Sequence, residues 1–180
     1  MSVLLLTGES GAGKSTVGHN VAAARNGLHI AEREVSRAIA AEKGYQRSRH
    51  WVCDVGLSEA ATAIRQRTVE MVGAQPKDRL TIIDGVYDAK FPEALRLAIP
   101  RIKLGIVAVE ASLGLRAKRC AQRMGGIALQ KALAEVAYLD AIKHEVGMDE
   151  LIAAADLVVV NEGYLEAAET QIHDWLDRRG

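Results

Sequence analysis

Residues 3–16 read Val-Leu-Leu-Leu-Thr-Gly-Glu-Ser-Gly-Ala-Gly-Lys-Ser-Thr, and how they are understood decides the fold. Val3 to Thr7 form a short, nearly continuous apolar run closed by a glycine, the pattern of a strand buried on both faces. Gly8 to Ser15 then match G-x-x-x-x-G-K-[ST], the Walker A pattern. Glycines let the backbone turn tightly and aim successive N–H groups inward. A helix beginning near Lys14 adds its positive N-terminal end. Lys14 can reach the β- and γ-phosphates of a nucleotide, and the Ser15 hydroxyl can ligate Mg²⁺. Four fixed positions match by chance in roughly 1% of chains this long at average residue frequencies. A buried strand before and a helix after narrow that further. Binding of a nucleoside triphosphate, ATP or GTP, with Mg²⁺ is therefore expected, with contacts from Gly8, Glu9, Ser10, Gly11, Ala12, Gly13, Lys14, Ser15 and Thr16.

Outward from this stretch, helices and apolar strands alternate. A helix from Lys14 is stopped by Asn26-Gly27, Leu28 to Ile30 suit a brief strand, and 32–43 suit a helix ended by Gly44. Tyr45 to Asp54 is polar and basic without clear periodicity. Ser58 suits the N-cap of a long helix to about Val72. Strands are expected at Leu80–Asp84, 103–111 and 156–163, and helices at Phe91–Ala98, Leu113–Met124, 129–153 with a break at Gly147, and 164–178. The strands are apolar throughout rather than alternating, so the expectation is one three-layer α/β domain over 1–180, with about five parallel strands covered on both faces.

Composition agrees with a globular domain. Of 180 residues, 49% are hydrophobic and 26% charged, and 23 Lys+Arg balance 23 Asp+Glu. A net charge of zero gives no global attraction to nucleic acid or membrane, so any anion site must be local. Aromatics at 4% argue against a base-stacking platform. Cys53 and Cys120 have no metal-ligand spacing and read as reduced thiols. No stretch approaches the ~18 apolar residues of a membrane span. The N-terminal apolar run is short and lacks a preceding basic segment, so a mature cytoplasmic protein is expected.

A magnesium–triphosphate site calls for an acid at a neighbouring strand end. Asp84 is the better placed, because Leu80 to Ile83 carry it to the carboxyl edge and Gly85 lets a ligand approach; Glu110 also ends a strand. Asp84 would bind Mg²⁺ through water or orient the acceptor. Arg116, Arg119 and Arg123 are spaced three and four apart and can share one helix face. There they could stabilise the charge of a migrating phosphoryl group. Gly125-Gly126 would suit the hinge of a lid that excludes water. Arg33 and Arg37, or Arg47, Arg49 and His50, could receive an anionic acceptor.

Together these stretches resemble the nucleoside-monophosphate-kinase-like group of P-loop kinases, nearest to dephospho-coenzyme-A-kinase-like and archaeal nucleotide-kinase-like proteins. The resemblance rests on Gly8–Thr16, on Glu34-Val-Ser-Arg37, on Ile82-Ile-Asp-Gly85, and on the stretches 109–123 and 150–167. It implies a P-loop fold with strand order 2-3-1-4-5, an acceptor-binding segment at about 32–73 and a lid at about 124–145. It further implies that Asn161 and Gly163 line the base pocket, that Arg119 lies against the nucleotide, and that Arg123 faces the transferred phosphate. Lys14, Asp84, Arg119 and Arg123 would be catalytic, Ser15 and Asp84 the metal ligands, and Glu34, Arg37, Asp84 and Tyr87 the acceptor site. Adenylate kinases carry an arginine shortly after the Asp-Gly, where this chain has Val86-Tyr87-Asp88. Dephospho-coenzyme-A kinases carry Asp-x-Asp before the second helix, where this chain has Ala31-Glu32-Arg33-Glu34. Two functions stand at this point: a phosphotransferase acting on a nucleotide or nucleotide-like small molecule, and a nucleotide-binding switch or ATPase acting with RNA or a protein partner.

Overall fold

The computed structural model describes residues 1–179. Five strands, β1 (Ser2–Thr7), β2 (Leu28–Ala31), β3 (Leu80–Asp84), β4 (Lys103–Glu110) and β5 (Leu157–Val160), form one parallel sheet of order β2-β3-β1-β4-β5. This is the order the sequence led us to expect. β1 lies at the centre, and its side chains alternate between two cores. Val3 and Leu5 join one, Leu4 and Leu6 the other, each no more than 2% exposed. A strand that is apolar at every position thus still obeys the two-residue period, because both of its faces are covered.

The first core is closed by α2 (Glu32–Glu42), α3 (Ser48–Val55), α4 (Leu57–Gly73), α5 (Phe91–Ala98) and α8 (Met148–Ala153), through Val35, Ile39, Trp51, Val72, Phe91 and Leu151. The second is closed by α1 (Lys14–Ala24) and α9 (Leu165–Arg179), through Val17, Val21, Ala168, Ile172 and Trp175. Each fully buried Val, Leu or Ile contributes about 1.5–3 kcal/mol relative to exposure, so both layers are held on strongly. α6 (Leu113–Arg123) and α7 (Leu129–Glu145) pack through a separate small cluster of Ala117, Cys120, Ala132 and Val136. No helix of the described residues is long and apolar enough to cross a membrane.

Two local expectations are corrected. Residues 48–55, within the stretch read as aperiodic, form α3, because Trp51 buries completely and Val52 and Val55 pack beside it on the first core. Ser58 is not the cap of α4. Gly56 is, at φ +88°, without a side-chain cap.

The register brings the chemistry to one edge. Leu6 and Ala31 both lie opposite Asp84, so the phosphate loop after β1, Asp84 at the end of β3 and Glu32 after β2 emerge together at the carboxyl ends of the strands. In open α/β sheets, ligands bind at this edge.

Candidate active site

The loop between β1 and α1 is shaped by close backbone approach. Gly8 has φ +121°, and a Cβ there would collide with the carbonyl oxygen of Val109. Gly13 has φ +101°, and a Cβ there would collide with the Asn161 amide. Only glycine fits both the dihedral and the space. Asn161 Nδ2 donates to the Ala12 carbonyl at 2.8 Å. Arg119 donates to the carbonyls of Gly11, Ala12 and Asn161. Loop carbonyls are thereby occupied from behind. Lys14 is 6% exposed and donates to the carbonyls of Gly8 and Glu9 at 2.6 and 2.7 Å. Burial first, and then the nearby Lys143 cation, push its pKa well below the usual lysine range.

Asp84 is buried, and both its oxygens are engaged. Oδ1 accepts from the Ser15 hydroxyl at 2.9 Å, and Oδ2 pairs with His29 Nε2 at 2.6 Å. A hydroxyl and a carboxylate side by side at a phosphate loop suit Mg²⁺, which binds through one or two protein oxygens, waters and substrate phosphates. His29 comes from β2 and fixes the rotamer of Asp84, so that Oδ1 stays on the Ser15 side.

A second network ties the loop to α7. Arg116 is 4% exposed. Its guanidinium donates to the Ser10 carbonyl and to Asp140 Oδ2 (2.6 Å), its Nε to the Ala111 carbonyl, and it pairs with Glu9 at 3.1 Å. Asp140 Oδ1 accepts the Ser10 backbone N–H at 2.7 Å. Burial opposes ionisation of Asp140, but the Ser10 amide, Arg116 and Lys143 outweigh it and hold its pKa below the usual carboxylate value. Lys143 donates to the Ser10 hydroxyl and stands 4.5 Å over the Tyr87 ring. Burial pushes its pKa down to about 8, against the pull of Asp140.

Beside Tyr87 opens a pocket of about 110 Å³. Its floor and walls are Val52, Leu57, Ala60, Ile64, Ile142 and Val146, and its polar rim is Glu32, Tyr87, Asp88 and Lys143. Asp88 is held by Arg65 and by the Lys90 amide. Burial first, then Asp88 and Asp84, raise the Glu32 pKa well above the usual carboxylate range. Burial, then Asp84, raises that of the Tyr87 hydroxyl.

No protein-family model matches the sequence, and no curated protein is similar to it in sequence. Solved structures are similar along nearly the whole chain. A shikimate kinase from Bacteroides thetaiotaomicron superposes with TM-score 0.68 at 13% identity, over 98% of each chain. The chain has the P-loop kinase fold. A shikimate kinase from Aquifex aeolicus (TM-score 0.63, 18% identity, 99% of this chain and 98% of that one) and a gluconokinase from Sinorhizobium meliloti (0.58, 17%, 99% and 97%) share this architecture. Identity this low carries the P-loop kinase fold and no more.

Of the residues singled out in the sequence, Lys14, Ser15, Asp84, Arg119, Asn161 and Tyr87 come together around the loop. Thr16 and Gly163 are exposed, and Arg123 is exposed at the end of α6, with Cys120 Sγ 3.9 Å from its guanidinium. Glu34 and Arg37 form an exposed pair on α2, 2.8 Å apart, and neither lines the pocket. Arg116 faces the loop, but as a tie to α7. The sequence reading missed His29, Glu32, Arg65, Asp88 and Asp140. His29 was visible as the one polar residue of an apolar strand. The others are joined only by folding.

Proposed function

We propose that this chain is an ATP- and Mg²⁺-dependent phosphotransferase of the cytoplasm, passing the γ-phosphoryl group to a small molecule held in the pocket beside Tyr87. The observation that carries this reading is adjacency. The Tyr87 ring lies 5.5 Å from the amine of Lys14 in the loop and 4.5 Å from that of Lys143 in the pocket rim. A donor phosphate and a pocket-bound acceptor would meet across this ring. Such proximity removes much of the entropic cost of a two-substrate reaction.

The residues present fit the ligands. Backbone N–H groups of the loop and Lys14 would hold the triphosphate, Arg119 would lie against the nucleotide, and Asn161 and Gly163 would lie toward the base. Ser15 and Asp84 would hold Mg²⁺, with His29 fixing the carboxylate. When bound, Mg²⁺ offsets charge on the phosphate oxygens. Lys143 reaches the Ser10 side of the loop and would add positive charge on the acceptor side, a role for which the sequence nominated Arg123. Arg116 would keep α7 over the loop and limit water entry. The narrower kinship with dephospho-coenzyme-A kinases and a nucleotide-like acceptor rest on the resemblance of the four stretches, and a phosphate on that acceptor was read from the spacing of Glu34 and Arg37, neither of which lines the pocket.

The test is transfer of label from [γ-³²P]ATP to a panel of small alcohols, sugars, nucleosides and nucleoside monophosphates, with Lys14→Ala as control. A labelled product that Lys14→Ala abolishes supports the reading. Phosphate release alone, stimulated by RNA or protein, would replace it with the switch or ATPase.

A further inference from the structure

Charge bookkeeping at the pocket rim points to the acceptor's chemistry. Two carboxylates, Glu32 and Asp88, line the pocket, and Asp84 lies just beyond. Arg65, which reaches the lining residue Asp88, is engaged by it and by the Thr62 hydroxyl. Lys143 is turned toward Ser10 and Asp140. Arg33 and Arg37 both pair with Glu34 on the exposed face of α2. Recognition of a carboxylate or phosphate normally uses a free bidentate arginine, and this pocket offers none. A negatively charged acceptor would find no arginine in the lining, and apolar walls that cannot solvate it.

Glu32 has what an alcohol needs. Its carboxyl forms no hydrogen bond or ion pair among the described residues. Ala31 lies opposite Asp84, so Glu32 follows at the level of Gly85. A Cβ placed on Gly85 would lie 3.9 Å from the Glu32 Cβ and 3.6 Å from the Tyr87 hydroxyl, so these groups share one small space next to the metal-binding acid. The pocket volume is of the order of the cavity, about 150 Å³, that admits a benzene ring in another protein.

We infer that the pocket takes an alcohol without negative charge, with a compact apolar body, whose reactive hydroxyl is held by Glu32. The inference rests on the phosphotransferase reading above and names its substrate class. In the transfer, the acceptor oxygen forms a bond to the γ-phosphorus. The bond from that phosphorus to the β–γ bridging oxygen breaks, and its electron pair leaves with ADP. The hydroxyl proton passes to the Glu32 carboxylate, which burial among acids makes a stronger base than a solvated one.

The test compares label transfer from [γ-³²P]ATP, by the full chain with Mg²⁺, to two sets at equal concentration. One set is benzyl alcohol, cyclohexane-1,2-diol and 2-amino-1-phenylethanol; the other is shikimate, gluconate and AMP. The first set is expected to be labelled at least tenfold faster. Glu32→Gln should lower kcat about a hundredfold or more with KM changed only a few-fold, as expected for loss of a general base. Ala61 also lines the pocket, and Ala61→Trp should fill it and stop transfer while leaving the Kd for ATP, measured by calorimetry, unchanged. Equal or faster labelling of the anionic set overturns the inference, as does labelling of neither set by a chain that binds MgATP. Failure to bind MgATP overturns the phosphotransferase reading instead. The wild-type panel decides these outcomes whether or not the Trp variant folds.

Discussion

Arg116→Met is the sharpest probe of how the loop and α7 are joined. The side chain is 4% exposed and satisfies the carbonyls of Ser10 and Ala111, Asp140 and Glu9 at once. Its removal leaves Asp140, whose side chain is 9% exposed, with only the Ser10 amide and Lys143. Breaking a buried pair by deleting one partner costs about 3–5 kcal/mol. Because two donors to Asp140 remain, the lower end, about 3 kcal/mol, is expected. At ~2–4 °C per kcal/mol for a chain of this size, Tm should fall by about 6–12 °C. The Glu9 contact adds little, since that carboxylate is 38% exposed and screened. Thermal unfolding of Arg116→Met, Asp140→Asn and the double variant completes a cycle, and residues in contact should couple by about 0.5–3 kcal/mol. Amide exchange should quicken across 124–146 and stay slow in β1. A Tm loss below about 2 °C, or coupling near zero, would refute the idea that this ion pair docks α7.

Asp84→Asn should lower the Mg²⁺-dependent rate by about a hundredfold, the scale of losing one positioned electrostatic group, with a far-ultraviolet circular dichroism spectrum unchanged. Lys143, with its pKa near 8, should give kcat an alkaline limb falling through about pH 8, and Lys143→Arg should remove it. In the apo chain the sign for stability is opposite. The unfolded lysine, at about 10.4, binds more protons than the folded one between about pH 8 and 10.4. The cost of burying the cation is therefore fully present below pH 8 and relieved as pH rises through that window, which urea unfolding at pH 7.5 and 9.5 would read. Arg37→Ala should change acceptor KM less than twofold, because the Glu34–Arg37 pair is exposed and outside the pocket. A large rise in KM would return α2's outer face to the acceptor site.

The sheet was legible because its strands are short, apolar at every position and punctuated by glycine, a pattern that a two-faced parallel sheet requires. The loop was legible for a similar reason: the backbone geometry of residues 8–15 is written locally, in three glycines within six residues. The pocket was not. Asp140 reaches Ser10 across 130 residues, and Arg65 reaches Asp88 across 23. Neither pairing has a periodicity or spacing to announce it. The spacing of Glu34 and Arg37 drew the reading to the solvent face of α2, while Glu32, two residues earlier, turns inward. α3 was missed because two turns of helix, with Trp51, Val52 and Val55 on the core, are too short to establish a period.

The apolar walls of the pocket come from two stretches, 52–64 and 142–146, that form no strand and no part of the phosphate loop. The loop of residues 8–15 and Asp84 lie elsewhere, between β1 and α1 and at the end of β3. On the phosphotransferase reading, substitutions in the 52–64 wall would recut the cavity for a different acceptor while leaving the loop's own contacts in place, whereas 142–146 includes Lys143, which donates to Ser10. On that reading, such a division would let a gene lineage exchange one acceptor for another in small steps while the donor loop stays the same. The same division makes positions 52, 57, 60, 61 and 64 a compact library for directed evolution of new phosphorylation targets.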